Sequence, residues 1–126
     1  MYRYNEIGAR VGQDSNGSQK PGLPVALFGD STMHGTGVAW GDTIGAHLEA
    51  GWGQGKSVQN FALGAYGMDQ ALLRWRAVKE AARPAVVIFG FQAENVKRNG
   101  SIFRALYTYE TIDIPFSKPQ IGRAHV

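Results

Sequence analysis

A serine shortly after a short apolar run is the residue of this sequence with the clearest potential for chemistry. Ser31 stands in the sequence Gly-Asp-Ser-Thr at positions 29–32, after the run Val-Ala-Leu-Phe at positions 25–28. Because Pro24 and a glycine bound this run closely, it predicts a strand and not a helix. A serine at the carboxyl end of a strand lies where open α/β sheets build their sites. Its hydroxyl becomes a nucleophile once a base takes its proton.

The same order of an apolar run and a polar loop recurs twice further along the chain. Residues 57–63 are followed by a glycine-bearing loop at 64–67, and residues 85–89 are followed by a loop that carries Asn95. Alternation of such runs with helical segments predicts parallel strands, whose carboxyl ends meet at one edge of a sheet. Ser31 and the two later loops are therefore predicted to converge. Taken singly, these polar residues are also typical of turns and helix caps.

Together these segments resemble the first three blocks of the SGNH, or GDSL-type, hydrolases. The resemblance extends over residues 24–119 and rests on Gly29-Asp30-Ser31, on Asn60 with its glycine-bearing loop, and on Gly90 with Asn95. It implies an α/β fold of three layers, with a flavodoxin-like parallel sheet that is incomplete at its C-terminal end. It also implies a serine ester hydrolase without a cofactor, whose substrate is a small ester or an acylated sugar or lipid.

The resemblance also implies a role for each residue of the site. Ser31 is the nucleophile that attacks a carbonyl carbon. The implied oxyanion hole consists of the Ser31 amide, an amide of Gly64 or Ala65, and the Asn95 side chain. Asp30 and Asn60 are implied to support it. Preorganised donors aimed at developing negative charge are each worth on the order of a hundredfold in rate. Relatives often carry glycine at position 65, but an alanine amide also donates if its dihedral angles are ordinary.

The acid–base residue of this family is missing from its expected place. The family keeps its base in an Asp-x-x-His pair near the end of the domain, and no aspartate here stands three residues before a histidine. His125 lies in residues 120–126, which resemble the translation of a sequencing adapter and are predicted to be a non-native tail. We therefore expect the natural domain to continue beyond Pro119, and this truncated chain to be inactive by itself. His34 is expected in a loop or pocket role, and His47 at the surface or in an interface.

Two other functions remain open from the sequence alone. The loop at 31–36, rich in hydroxyls and glycine, could cradle a phosphate, as in flavodoxin-like FMN-binding modules. The chain could also be a non-catalytic domain that keeps the fold and lacks the base. A dinucleotide-binding fingerprint that begins at Gly35 fails, because Trp40 occupies the place of its third glycine.

Helical periodicity predicts the elements between the strands. Apolar residues recur between positions 68 and 82, which predicts a helix packed on the sheet with Trp75 in the core. A second helix is predicted from near Thr43, with Asp42 as its cap and with Ile44 and Leu48 turned inward. The basic residues Lys97 and Arg98 are expected on a solvated face, although an acidic substrate is the alternative.

Composition limits the remaining possibilities. The 126 residues suit one domain, divided into a cover segment and linker at 1–23, the partial hydrolase-like domain at 24–119, and the tail at 120–126. The chain has no cysteine, which excludes disulfides, thiol catalysis and thiolate metal sites, and no other metal-ligand cluster stands out. A net charge of +3 is too small and too scattered to indicate nucleic acid binding. No segment suits a membrane span, and no localisation signal can be read.

Overall fold

The chain folds around a small parallel β-sheet with helices between its strands. The computed structural model describes residues 1–12, 24–52 and 57–100. The strands are β1 (Val25–Phe28), β2 (Val58–Asn60) and β3 (Val86–Phe89), and the helices are α1 (Ser31–His34), α2 (Ile44–Gly51), α3 (Met68–Ala82) and α4 (Glu94–Gly100). A 3-10 helix at Trp40–Asp42 precedes α2. The predicted α/β class and the parallel sheet are confirmed.

Strand β1 is the centre of the sheet, whose order is β2-β1-β3 with both pairs parallel. Leu27 of β1 is aligned with Asn60 of β2 and Ile88 of β3. Because every connection carries the chain back to the same end of the sheet, the three strands point the same way. Their carboxyl ends therefore form one edge, which carries the loops that contain the candidate site residues.

Two apolar clusters cover opposite faces of β1. Alternate side chains of a strand point to opposite faces, so Ala26 and Phe28 face α3, whereas Val25 and Leu27 face α2. The α3 cluster includes Phe61, Ala71, Val78 and Ala82, and the α2 cluster includes Met33, Val58, Ala62 and Leu48. The Trp75 ring lies 5.7 Å from the Phe28 ring, in an edge-on contact. The predicted core role of Trp75 is therefore confirmed.

The start of α2 differs from the prediction. Its cap is Thr43, whose hydroxyl accepts a hydrogen bond from the Ala46 amide at 3.1 Å, and Asp42 belongs to the preceding 3-10 helix. Ile44 is exposed, so the prediction that it turns inward is wrong, whereas Leu48 does pack on the sheet. The reason is the buried Gly45, where an added Cβ would lie 3.3 Å from a Val58 methyl. Helix α2 therefore approaches β2 closely at Gly45, and the adjacent Ile44 points away from the sheet.

The N-terminal residues 1–12 lie against the outer side of β2. The Arg10 amide donates to the Asn60 carbonyl at 2.7 Å, which continues the hydrogen bonding of the sheet in the antiparallel sense. From α3, the Arg74 guanidinium donates to the carbonyls of Ile7 and Gly8 at 3.4 and 3.3 Å. This part of the predicted cover segment is thus tied to both the sheet and a helix.

Several sequence predictions fall on other parts of the chain. The linker at 13–23, the stretch at 101–119 and the tail at 120–126 with His125 lie outside the described residues. Within the described ranges, none of the helices is both long enough and apolar enough to cross a membrane.

Candidate active site

Ser31 is the first residue of α1, three residues beyond the end of β1. It is half-buried, and within the described ranges neither its hydroxyl nor its amide makes a hydrogen bond. The first amides of a helix have no partner within the helix itself. At the carboxyl edge of the sheet, Ser31 therefore has a hydroxyl and an amide that lack hydrogen-bond partners among the described residues.

Asp30 caps the helix that begins with Ser31. Its Oδ1 accepts a hydrogen bond from the Thr32 amide at 3.0 Å, and its Oδ2 accepts from Asn95 Nδ2 at 3.0 Å and from Arg98 Nη1 at 3.4 Å. The side chain is almost completely buried, at 3 % exposure. A buried carboxylate needs such donors, because an unpaired buried charge is strongly unfavourable. Asp30 thus joins the first loop to the third.

The other end of α1 is held by Asn60 and Arg10. Asn60 Nδ2 donates to the Met33 carbonyl at 2.8 Å, and Arg10 Nη1 donates to the carbonyls of His34 and Gly35 at 2.6 and 2.7 Å. These are carbonyls that the end of a helix leaves without intrahelical partners. A helix of four residues is not stable alone in water. Its shape here is therefore determined by side chains from two other segments of the chain.

The second loop brings Gly64 and Ala65 beside this helix. The Leu63 amide donates to the Gly29 carbonyl at 3.2 Å, and a Cβ added at Gly64 would lie 4.0 Å from Thr36 Oγ1. The amides of Gly64 and Ala65 have no acceptor among the described residues. Ala65 has a φ of +61°, so its dihedral angles are not the ordinary ones that the sequence argument required. The left-handed conformation costs an alanine roughly 1 kcal/mol, but it leaves the backbone N–H of Ala65 in place as a donor.

Asn95 lies beneath the first two loops at 1 % exposure. Its Oδ1 accepts from the Gln92 amide at 2.7 Å, and its Nδ2 donates to Asp30 Oδ2 at 3.0 Å and to the Tyr66 carbonyl at 3.4 Å. Both N–H groups of the side chain are therefore used within the site. Arg98 Nη1 donates to the same two acceptors, each at 3.4 Å.

The sequence prediction for Arg98 is wrong. Its side chain is 13 % exposed and pairs with Asp30 and with Glu94, the latter at 2.8 Å. The available signal was its position three residues after Asn95, because residues at that spacing share a helix face. Lys97 is exposed, as predicted.

Arg10 is a second residue that sequence reasoning missed. It is 2 % exposed and holds the end of α1 from a distant part of the chain. Nothing in the local sequence indicates that role, since its partners are backbone carbonyls.

Neither histidine side chain of the described ranges forms a hydrogen bond with Ser31. His34 is buried, and its Nε2 and Nδ1 lie 3.0 Å from the Tyr4 hydroxyl and 2.9 Å from Thr36 Oγ1. Burial lowers the pKa of His34 below its ordinary value, and the nearby Arg10 charge lowers it further. His47 is exposed on α2. Among the described residues, no three His, Asp or Glu side chains are grouped to hold a metal ion.

The lowered pKa of His34 predicts that stability falls on mild acidification. Above its ordinary pKa of 6.5, His34 is neutral in both the folded and the unfolded chain. As the pH falls below 6.5, the unfolded chain takes up the proton first, so the free energy of unfolding decreases until the folded pKa is passed. We expect a lower urea midpoint at pH 5.5 than at pH 7.5, and a smaller difference in His34→Gln. His47→Gln is the matched control. If it reduced the difference between the two urea midpoints as much as His34→Gln does, the pH dependence could not be assigned to His34.

Hydrogen bonds join all three candidate loops at one edge of the sheet. Asp30 of the first loop contacts Asn95 of the third, and both Asn95 and Arg98 contact the Tyr66 carbonyl of the second. No family model and no curated protein matches this chain. The geometry of the site is therefore the basis for assigning a function.

Proposed function

We propose that this chain is part of a serine ester hydrolase of the SGNH type, built on a flavodoxin-like sheet, with Ser31 as its nucleophile. The proposal is carried by one observation about Ser31, which is half-buried. Its hydroxyl has no hydrogen-bond partner among the described residues, whereas side chains hydrogen-bond to the backbone at both ends of its helix. A catalytic group needs this combination, because its supporting side chains must hold it while the reacting atom stays accessible.

In the proposed reaction, Ser31 Oγ forms a bond to the carbonyl carbon of the ester as its proton passes to a base. The bond from that carbon to the alcohol oxygen then breaks, and the alcohol leaves with the proton. Water repeats the sequence and releases the acid. The amides of Ser31 and of Gly64 or Ala65 are the proposed oxyanion donors, supported by their lack of acceptors within the described ranges.

The proposed third donor is the side chain of Asn95, which must turn one N–H from the Tyr66 carbonyl to the oxyanion. Arg98 supports this step, because it also donates to Asp30 and to the Tyr66 carbonyl. When the Asn95 side chain turns, Asp30 Oδ2 and the Tyr66 carbonyl each still accept a hydrogen bond from Arg98. The movement therefore avoids the cost of a buried polar group without a hydrogen bond.

The base is proposed to be the histidine of an Asp-x-x-His pair, which this sequence does not contain, as in the family that the sequence resembles. His34 is unsuited to the role, because both of its ring nitrogens contact other side chains. The proposed substrate is a small ester, or an acylated sugar or lipid.

Covalent labelling tests the proposed nucleophile. The protein is expressed from its complete natural gene, treated with an alkyl fluorophosphonate and digested for peptide mass spectrometry. We expect a bond between Ser31 Oγ and phosphorus, with loss of fluoride, and no labelling after heat denaturation. Labelling of another residue, or none, would argue against the proposal. A flavin absorbance spectrum in the purified protein would instead support the FMN-binding alternative.

A further inference from the structure

A cleft of about 440 Å³ lies between the N-terminal segment and the loop that follows α1. Its walls include Tyr2, Arg3, Arg10, Val38 and Trp40, and none of the described residues that line it carries a carboxylate. Ser31 is not among the lining residues, so the cleft is separate from the nucleophile. The volume is within the range of small-molecule sites.

The buried guanidinium of Arg10 is the feature that gives this cleft a chemical preference. Arg10 donates to three backbone carbonyls, those of His34, Gly35 and Val38. A guanidinium has five N–H donors, so the Nε–H and one Nη2–H have no acceptor among the described residues. No described carboxylate forms an ion pair with Arg10 either. Since buried charges are normally paired, this guanidinium is suited to an anionic ligand.

The aromatic walls of the cleft are held in place. The Tyr2 ring lies over the Arg10 guanidinium at 4.3 Å, and the Tyr2 hydroxyl accepts a hydrogen bond from the Gly37 amide at 2.6 Å. The Trp40 indole packs against Gly12, where an added Cβ would lie 2.7 Å from Nε1. Tyr2 covers one face of the Arg10 guanidinium, and that face is therefore closed to a ligand.

We propose that this cleft binds a small carboxylate with an aromatic or aliphatic body, whose carboxylate group pairs with Arg10. The two remaining donors lie on neighbouring nitrogens, and this spacing matches the two oxygens of a carboxylate. This binding does not require Ser31 and goes beyond the proposed ester hydrolysis.

Two probes that differ only in charge test the proposal by isothermal titration calorimetry. We expect 2-naphthoate to bind at least about tenfold more tightly than uncharged 2-naphthamide, since a charge-assisted hydrogen bond is about twice as strong as a neutral one. Val38→Glu places a carboxylate at the cleft and is expected to weaken 2-naphthoate binding about tenfold or more. The new carboxylate either repels the anion or forms an ion pair with Arg10 in its place. Binding of 2-naphthamide is expected to change little.

Val96→Glu is the matched control, because it makes the same substitution at an exposed position on α4. It is expected to leave the affinity for both probes unchanged, and circular dichroism checks that both variants fold. Equal affinity for the two probes, no binding of 2-naphthoate at millimolar concentration, or the same weakening in both variants would overturn the proposal. The titrations need no turnover, so their failure would leave the proposed hydrolase function untouched.

Discussion

Ser31→Ala, made in the protein expressed from its complete natural gene, is expected to lower kcat/KM for a short-chain aryl ester by about 10⁴-fold or more. The proposed reaction depends on a bond to Ser31 Oγ, and loss of a serine nucleophile typically removes most of the rate enhancement. The fold is expected to persist, because the hydroxyl makes no hydrogen bond within the described ranges. Initial rates of 4-nitrophenyl acetate hydrolysis over a range of concentrations give the value.

Ser57→Ala is the matched control for this measurement. Ser57 directly precedes β2, and so lies at the opposite end of the sheet from Ser31. Its buried hydroxyl has no hydrogen-bond partner among the described residues. We expect kcat/KM to stay within about twofold of the unsubstituted protein, since no part of the proposed site is touched. Unchanged turnover in Ser31→Ala would remove Ser31 as the nucleophile.

Asp30→Ala is expected to lower the free energy of unfolding by about 3 kcal/mol, the largest stability effect that we predict. The substitution removes the cap of α1 and leaves the buried amide of Asn95 and the Arg98 guanidinium without a shared carboxylate. Removing one partner of a buried ion pair typically costs about 3 to 5 kcal/mol, and the Arg98–Asp30 distance of 3.4 Å favours the lower end. Urea titration followed by circular dichroism measures the loss.

Glu94→Ala provides the comparison, because Glu94 pairs with the same guanidinium at the shorter distance of 2.8 Å. The Glu94 side chain is 60 % exposed, whereas that of Asp30 is 3 % exposed. Exposed pairs contribute less than about 1 kcal/mol, since water screens the attraction. We expect a small change in Glu94→Ala. Losses of similar size in both variants would mean that burial does not determine the strength of the Asp30 pair.

The strands and the long helix were predictable because each is specified by its own local sequence. The apolar run at 25–28 matches β1, and the periodicity at 68–82 matches α3. The start of α2 was predicted less well. Its inward face depends on the buried Gly45, where the helix approaches Val58 of a neighbouring strand. A contact between distant segments produces no hydrophobic periodicity in the local sequence, so the sequence does not indicate it.

The order of strands and helices along the chain could be predicted from the sequence alone, and with it the edge of the sheet at which Ser31 and the later loops meet. Parallel connections return the chain to the same end of the sheet, so the position of a residue after its strand is enough. The pairing of Arg98 with the buried Asp30, and the hydrogen bonds from Arg10 to the end of α1, depend on contacts between distant segments of the folded chain. Long basic side chains look alike in a sequence, and their roles depend on which carboxylates and carbonyls the fold brings within reach and removes from water.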